Sequence, residues 1–155
     1  MTVDYIVSSL PTLAFGLPAP ISWDGFIAAC GDKAGEVQAR LAGGEWADIE
    51  TQLRNAAAQA RAGDGFARPA KGCSIYWRDR IAACFQEKDV LKRDEMIDRA
   101  WWDAAGELAQ PSAPLGIGAL AAYAARLRIA LRRNMISKEK GNEAFDRLTA
   151  ETKTI

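Results

Sequence analysis

The chain has 155 residues, 49% of them hydrophobic and 26% charged, which is enough for one domain with a substantial core. Twenty basic residues balance twenty acidic ones, and this balance argues against broad electrostatic binding to nucleic acid or to an anionic membrane. The sequence contains no histidine, which removes the commonest general base and the commonest transition-metal ligand.

The N-terminus has no basic region followed by a long apolar run, and no stretch approaches the roughly 20 apolar residues that cross a bilayer. We therefore expect a soluble, cytoplasmic protein that does not insert into a membrane. The three cysteines, Cys30, Cys73 and Cys84, are odd in number and lack the spacing of metal ligands. They are typical of reduced, mostly buried thiols.

Residues 1–21 predict an extended apolar arm with at most a short helix or strand. Pro11 disfavours helical geometry at the residue before it, and Pro18 and Pro20 cannot lie inside a helix. Two interpretations of the arm stay open. It closes the core of its own chain, or it becomes ordered only when it binds a partner.

Apolar residues recur at helical spacing through most of the remaining chain. Ser22 and Asp89 are good N-caps, and Gly43 with Gly44 interrupts the pattern. The predicted helices cover residues 22–30, 33–42, 45–62, 73–87, 89–109 and 116–136, with a loop at 66–72 and a last helix capped by Ser137. The sequence thus predicts an all-α, single-domain bundle of about six helices over 22–150, with a frayed tail at 151–155.

The segment 116–136 is the predicted centre of the bundle, because it carries two apolar stripes. Leu120, Ala124 and Leu127 belong to the first stripe, and Ala125, Ile129 and Ile136 belong to the second. A helix that is apolar on two sides usually packs against neighbours on both.

No group of residues indicates catalysis. Serines and cysteines lack a histidine that would activate them, and no glycine-rich loop has the lysine and serine of a nucleotide site. The acidic residues between 87 and 98 alternate with lysines and arginines, which is typical of a solvated helix surface. We expect no enzyme activity, no cofactor, no metal and no small-molecule substrate.

Arginines at helical spacing are the most suggestive charged feature. Guanidinium groups make paired bonds to carboxylates, so these arginines are candidates for binding an acidic partner protein. The alternative is that they pair with acids on neighbouring helices of the same chain. The candidate partner-binding residues are Arg54, Arg61, Arg126, Arg128, Arg132 and Arg133.

Six blocks in the same order along the chain resemble a family of bacterial proteins of unknown biochemical function that accompany V/A-type (rotary) ATPase subunits. The blocks are Tyr5…Ser9-Leu10-Pro11…Leu13…Phe15-Gly16, Pro20-Ile21-Ser22…Phe26, Trp46…Leu53-Arg54-Asn55…Arg61-Ala62, Asp89-Val90-Leu91…Arg93…Ile97-Asp98-Arg99…Trp102, Ala122-Tyr123-Ala124…Leu127-Arg128-Ile129…Arg132, and Gly141…Phe145.

The resemblance implies a non-catalytic helical subunit or assembly factor of such an ATPase, similar to the connector protein of the central stalk. Its partners would be ATPase subunits, on the cytoplasmic face of the inner membrane. The alternative is a free-standing helical protein–protein interaction adaptor unrelated to the ATPase. The sequence does not distinguish a permanent subunit from an assembly factor.

Overall fold

The computed structural model describes residues 2–62 and 74–153, with the side chains of these ranges apart from 137–145 and 150–153. Two 3-10 turns, Gly31–Lys33 and Gly106–Leu108, adjoin the helices. The helices are α1 (Val3–Ser9), α2 (Trp23–Cys30), α3 (Ala34–Ala42), α4 (Gly44–Ala62), α5 (Ile75–Cys84), α6 (Val90–Ala105) and α7 (Ile117–Lys153).

The predicted all-α bundle is confirmed. Within the described ranges, six helices have eight or more residues, α1 is a shorter seventh, and no strand occurs. No helix of the described residues combines the length and apolar character that crossing a bilayer requires.

Three helix starts have the side-chain caps that short helices need. Ser22 accepts a hydrogen bond from the amide of Gly25 at 3.0 Å, and Asp89 accepts one from the amide of Leu91 at 3.0 Å. The predicted caps at Ser22 and Asp89 are therefore confirmed, and Ser74 caps α5 in the same way. Each such cap is worth about 1 kcal/mol.

The first half of α7 is the centre of the core, as predicted. Leu120, Ala124 and Leu127 are fully buried on one side, and Ala125 and Ile129 are buried on the other. Ile136, predicted at the end of the second stripe, is instead 43% exposed. The largest fully buried side chains from the other helices are Phe26, Ile6, Leu53 and Ile81. Burial of this apolar surface around α7 is the main force that stabilises the bundle.

The N-terminal arm contains one short helix, which the prediction from the sequence allowed. Val3–Ser9 is helical, and the helix ends before Leu10, which is extended because Pro11 follows it. A seven-residue helix is marginal on its own, but Ile6 is fully buried and α1 packs against α2 and α7. Burial of Ile6 thus outweighs the weak intrinsic preference, and only residues 10–22 remain without a helix.

The predicted break at Ser137 is wrong, because α7 continues as one helix from Ile117 to Lys153. Neither glycine nor proline precedes Ser137, and a serine inside a helix costs only a few tenths of a kcal/mol relative to alanine. The helix includes residues 151–153 of the predicted frayed tail, and residues 154–155 lie outside the described ranges.

Several smaller features differ from the sequence-based expectation. Helix α6 ends at Ala105 and tightens into a 3-10 turn, four residues before the predicted end. Helical periodicity predicts Tyr76 on an inward face and Val90 in an apolar stripe, yet Tyr76 is 62% exposed and Val90 is 55% exposed. Both lie in the first turn of a helix. The loop predicted at 66–72, and Cys73, lie outside the described ranges.

Candidate functional site

Residues 10–22, which we call the strap, lie across α6 and α7. The Tyr123 hydroxyl donates a hydrogen bond to the Pro11 carbonyl oxygen at 2.7 Å. The Phe15 ring packs edge-on against Trp102, with ring centroids 5.6 Å apart, and Leu13 packs against the cluster that contains Ile129. The strap is therefore held in its own chain, which favours the first of the two interpretations of the arm.

Arginines of α7 lie over an aromatic ring within the strap and over a second ring just after it. The Arg128 guanidinium carbon lies 4.7 Å from the centroid of Trp23, the first residue of α2. Arg133 lies 4.7 Å from the centroid of Phe15, and Arg99 of α6 lies 5.1 Å from the same ring. Guanidinium stacking of this kind contributes about 0.5–1 kcal/mol at an exposed site.

The carboxylate of Asp98 on α6 accepts hydrogen bonds from two arginines. Arg132 and Arg133 both contact its carboxylate, the second at 2.9 Å, and the Asp98 side chain is only 14% exposed. The prediction that the arginines pair with acids of the same chain is thus confirmed for these two. One carboxylate offsets only one of two positive charges.

A second carboxylate, that of Asp103, forms salt bridges with one arginine of α5 and one of α6. Arg80 contacts it at 2.7 Å and Arg99 at 3.4 Å. Arg126 donates from Nε to the Trp102 carbonyl oxygen at 3.0 Å instead of pairing with an acid. Burial lowers the pKa of Arg126 from its ordinary value, the proximity of Arg99 lowers it further, and Asp103 offsets part of this.

These contacts form one continuous surface with an excess of positive charge. Four of its arginines share two carboxylates, and among the described residues the other two, Arg126 and Arg128, have no carboxylate within ion-pair distance. All of these arginines except Arg80 and Arg132 also lie over the ring of Phe15, Trp23 or Trp102, and these contacts stabilise their positions. We call the surface the arginine face; it consists of Arg80, Arg99, Arg126, Arg128, Arg132 and Arg133, with Phe15, Trp23 and Trp102.

The two remaining candidates, Arg54 and Arg61, lie on α4 and have separate contacts. Arg54 pairs with Glu50 one turn earlier at 3.6 Å and stacks on Trp101 at 5.6 Å. Arg61 stacks on Phe85 at 5.2 Å. The structure therefore brings four of the six predicted arginines into one surface and leaves the α4 pair outside it.

Sequence reasoning missed the α5 and α6 members of the arginine face, Arg80 and Arg99, and the aromatic residues that support it. Phe15 and Arg133 are far apart in the sequence, and no local spacing relates them. The Arg99–Asp103 spacing of four residues was the one available signal, but it also fits an ordinary helix surface.

The described residues contain no group of three or more histidine, cysteine, aspartate or glutamate side chains arranged to hold a metal ion. Cys30 and Cys84 are free and buried. Burial raises the pKa of the Cys84 thiol, although Arg80 opposes this in part, so the thiol stays protonated near neutral pH.

Comparisons of the chain with protein-family models, with curated proteins and with solved structures found no match. The resemblance to the ATPase-associated family therefore stays a prediction from the sequence.

Proposed function

We propose that this protein is a non-catalytic helical subunit or assembly factor that binds an acidic surface of a partner protein through the arginine face. The excess of arginines over carboxylates on that face is the observation that carries the proposal. The whole chain has no net charge, so this excess is a local feature. Such a local field steers and orients a partner of opposite charge.

The geometry favours carboxylates over nucleic acid as the partner's chemistry. Single-stranded nucleic acid stacks its bases on exposed aromatic rings. Here Trp102 is buried, and the rings of Phe15 and Trp23 are already covered by arginines. Guanidinium groups that remain accessible, such as Arg132 at 58% exposure, fit paired bonds to glutamate or aspartate.

Components of a V/A-type rotary ATPase are the partners that we propose, on the basis of the sequence resemblance. In that role the protein would dock on the stalk, at the cytoplasmic face of the inner membrane. It would couple other components mechanically, and the bundle around α7 supplies the rigid body for such coupling. A free-standing adaptor uses the same face with a partner outside the ATPase.

The test is affinity purification of the tagged chain from mildly solubilised membranes of its native host, with mass spectrometry of the proteins recovered. Rotary ATPase subunits in fixed stoichiometry are the expected result, and recovery only from assembly-blocked cells would assign an assembly factor. If the recovered partners include no ATPase component, the free-standing adaptor is the supported function instead. If no protein is recovered under any condition, the proposed function is wrong.

Arg128→Glu tests the face itself, because Arg128 is exposed and has no carboxylate within ion-pair distance among the described residues. We expect it to reduce partner recovery about tenfold, since each repulsive charge pair costs on the order of 1 kcal/mol or more. Arg40→Glu, on an exposed position of α3, is the matched control and should leave recovery within about twofold. Equal recovery with both variants would contradict the assignment of the face.

A further inference from the structure

A groove of about 620 Å³ lies between α5 and α6, next to the strap. Its volume is within the range of roughly 300–1,000 Å³ that binding pockets span. Apolar side chains from three elements line it: Phe15 of the strap, Ala83 and Cys84 of α5, and Met96 of α6. Ala83 and Met96 are exposed to solvent, so the groove is open from outside.

Charges at the rim of the groove are of both signs. Arg80 and Arg99 are tied to Asp103, while Lys92 lies among Glu87 and Glu95. The groove by itself is therefore close to neutral. Its affinity must come from the apolar lining, and its preference for charge must come from the surface beside it.

The arginine face is that surface, because the two share Phe15, Arg80 and Arg99. Phe15 lines the groove, and the guanidinium carbons of Arg133 and Arg99 lie 4.7 Å and 5.1 Å from the centroid of its ring. From Lys92 to Arg99 the groove follows about 10 Å of α6, at 1.5 Å per residue. That length matches two turns of a helix laid alongside it.

We propose that the groove binds the apolar stripe of an amphipathic helix from the partner, with acidic residues of that helix directed at Arg99 and Arg133. Two or three apolar side chains at helical spacing would enter between Met96 and Ala83. The carboxylates would complete the charge balance that Asp98 and Asp103 leave incomplete. This inference rests on the proposed function and specifies the partner's element.

Binding of a synthetic helical peptide of about 16 residues, roughly four turns, tests the inference. The probe has leucines at one helical stripe and glutamates elsewhere, carries fluorescein, and is titrated with the full chain by fluorescence anisotropy. Ala83→Trp fills the groove from an exposed helix position, and Ala60→Trp makes the same change at an exposed position of α4. We expect Ala83→Trp to weaken binding about tenfold and Ala60→Trp less than about twofold.

A second peptide, in which glutamine replaces every leucine and all glutamates remain, separates the groove from the arginine face. If both peptides bind equally well, or if Ala83→Trp and Ala60→Trp bind the leucine peptide equally, the groove inference is wrong. The proposed function is tested separately, by the co-purification experiment, and is not contradicted by this result. A lysine version that binds as tightly as the glutamate version would also overturn the inference.

Sedimentation of the chain without peptide addresses the competing occupant, a second copy of this protein. The inference predicts a monomer in the wild type and in Ala83→Trp. A wild-type dimer that Ala83→Trp dissociates would assign the groove to self-association and overturn the inference.

Discussion

Two groups of arginines, one on α4 and one on α7, look alike in the sequence but differ in the structure. Arg54 and Arg61 are seven residues apart, as are Arg126 and Arg133, and both pairs flank an apolar stripe. Arg54 finds its own acid one turn away. Arg132 and Arg133 must share the single carboxylate of Asp98.

The difference teaches that spacing along one helix does not determine whether an arginine is available to a partner. The number of carboxylates within reach does, on the same helix for Arg54 and on α6 for Arg132 and Arg133. On α6, Asp98 and Asp103 together meet four arginines, and the rings of Phe15, Trp23 and Trp102 hold the rest of the face in place. A charge excess is thus built into the fold of a chain with no net charge.

The largest expected effect comes from moving α7 against its neighbours. A Cβ at Gly118 would lie 2.3 Å from the Leu108 carbonyl oxygen, so Gly118→Ala forces a backbone shift. We expect a loss of roughly 1–3 kcal/mol in the free energy of unfolding, measured by urea denaturation.

Gly35→Ala is the matched control, because nothing lies within 4 Å of a Cβ built there on α3. It should leave stability unchanged or raise it by up to about 1 kcal/mol. If Gly118→Ala is as stable as Gly35→Ala, the close packing of α7 against the 3-10 turn is wrong, and with it the register that brings α7 arginines to Asp98.

The next effect compares the two acids directly. Asp98→Asn leaves two arginines facing an uncharged group at a mostly buried position, so we expect a loss of about 1–2 kcal/mol. Glu50→Gln removes only a single pair within one helix, whose arginine is 66% exposed, and should cost less than about 0.5 kcal/mol. The two stability losses are compared by the urea midpoints of the variants. Equal losses would contradict the distinction between the α4 arginines and the α7 arginines.

The smallest effect is the strength of the arginine–aromatic contacts, which a double-mutant cycle measures in each region. The cycle of Phe15→Leu with Arg133→Met should give a coupling free energy of about 1 kcal/mol, because the Arg133 side chain is only 28% exposed. The cycle of Phe85→Leu with Arg61→Met, at an exposed arginine, should give about 0.5 kcal/mol or less. A larger coupling free energy for the Phe85–Arg61 pair than for the Phe15–Arg133 pair would contradict this expectation.

Much of the fold follows from the sequence because its signals are local. Ser22, Asp89 and the Gly43-Gly44 pair set helix ends through backbone hydrogen bonds and dihedral preferences a few residues away. The core stripe of α7 follows from helical periodicity. The bounds of the helix at Val3–Ser9 did not follow, because burial of Ile6 decides them. The break predicted at Ser137 is a misinterpretation of the sequence, since neither glycine nor proline lies beside that serine.

The candidate site could be predicted only in part. The α7 arginines are visible as a cluster, but their partners come from the strap and from α6, and these contacts join residues as far apart as Pro11 and Tyr123. No periodicity within one helix carries that information. Arg54 and Arg61 group with the α7 arginines in the sequence for the same reason, since their local pattern is the same.

The most direct test of the arginine face is amide hydrogen exchange, read by mass spectrometry, of the protein alone and in the complex recovered from its host. The account predicts that the partner slows exchange in peptides from the strap, α6 and residues 126–136, and leaves α3 and α4 unchanged. Protection centred on α3 and α4, with the strap and α7 unaffected, would contradict the account.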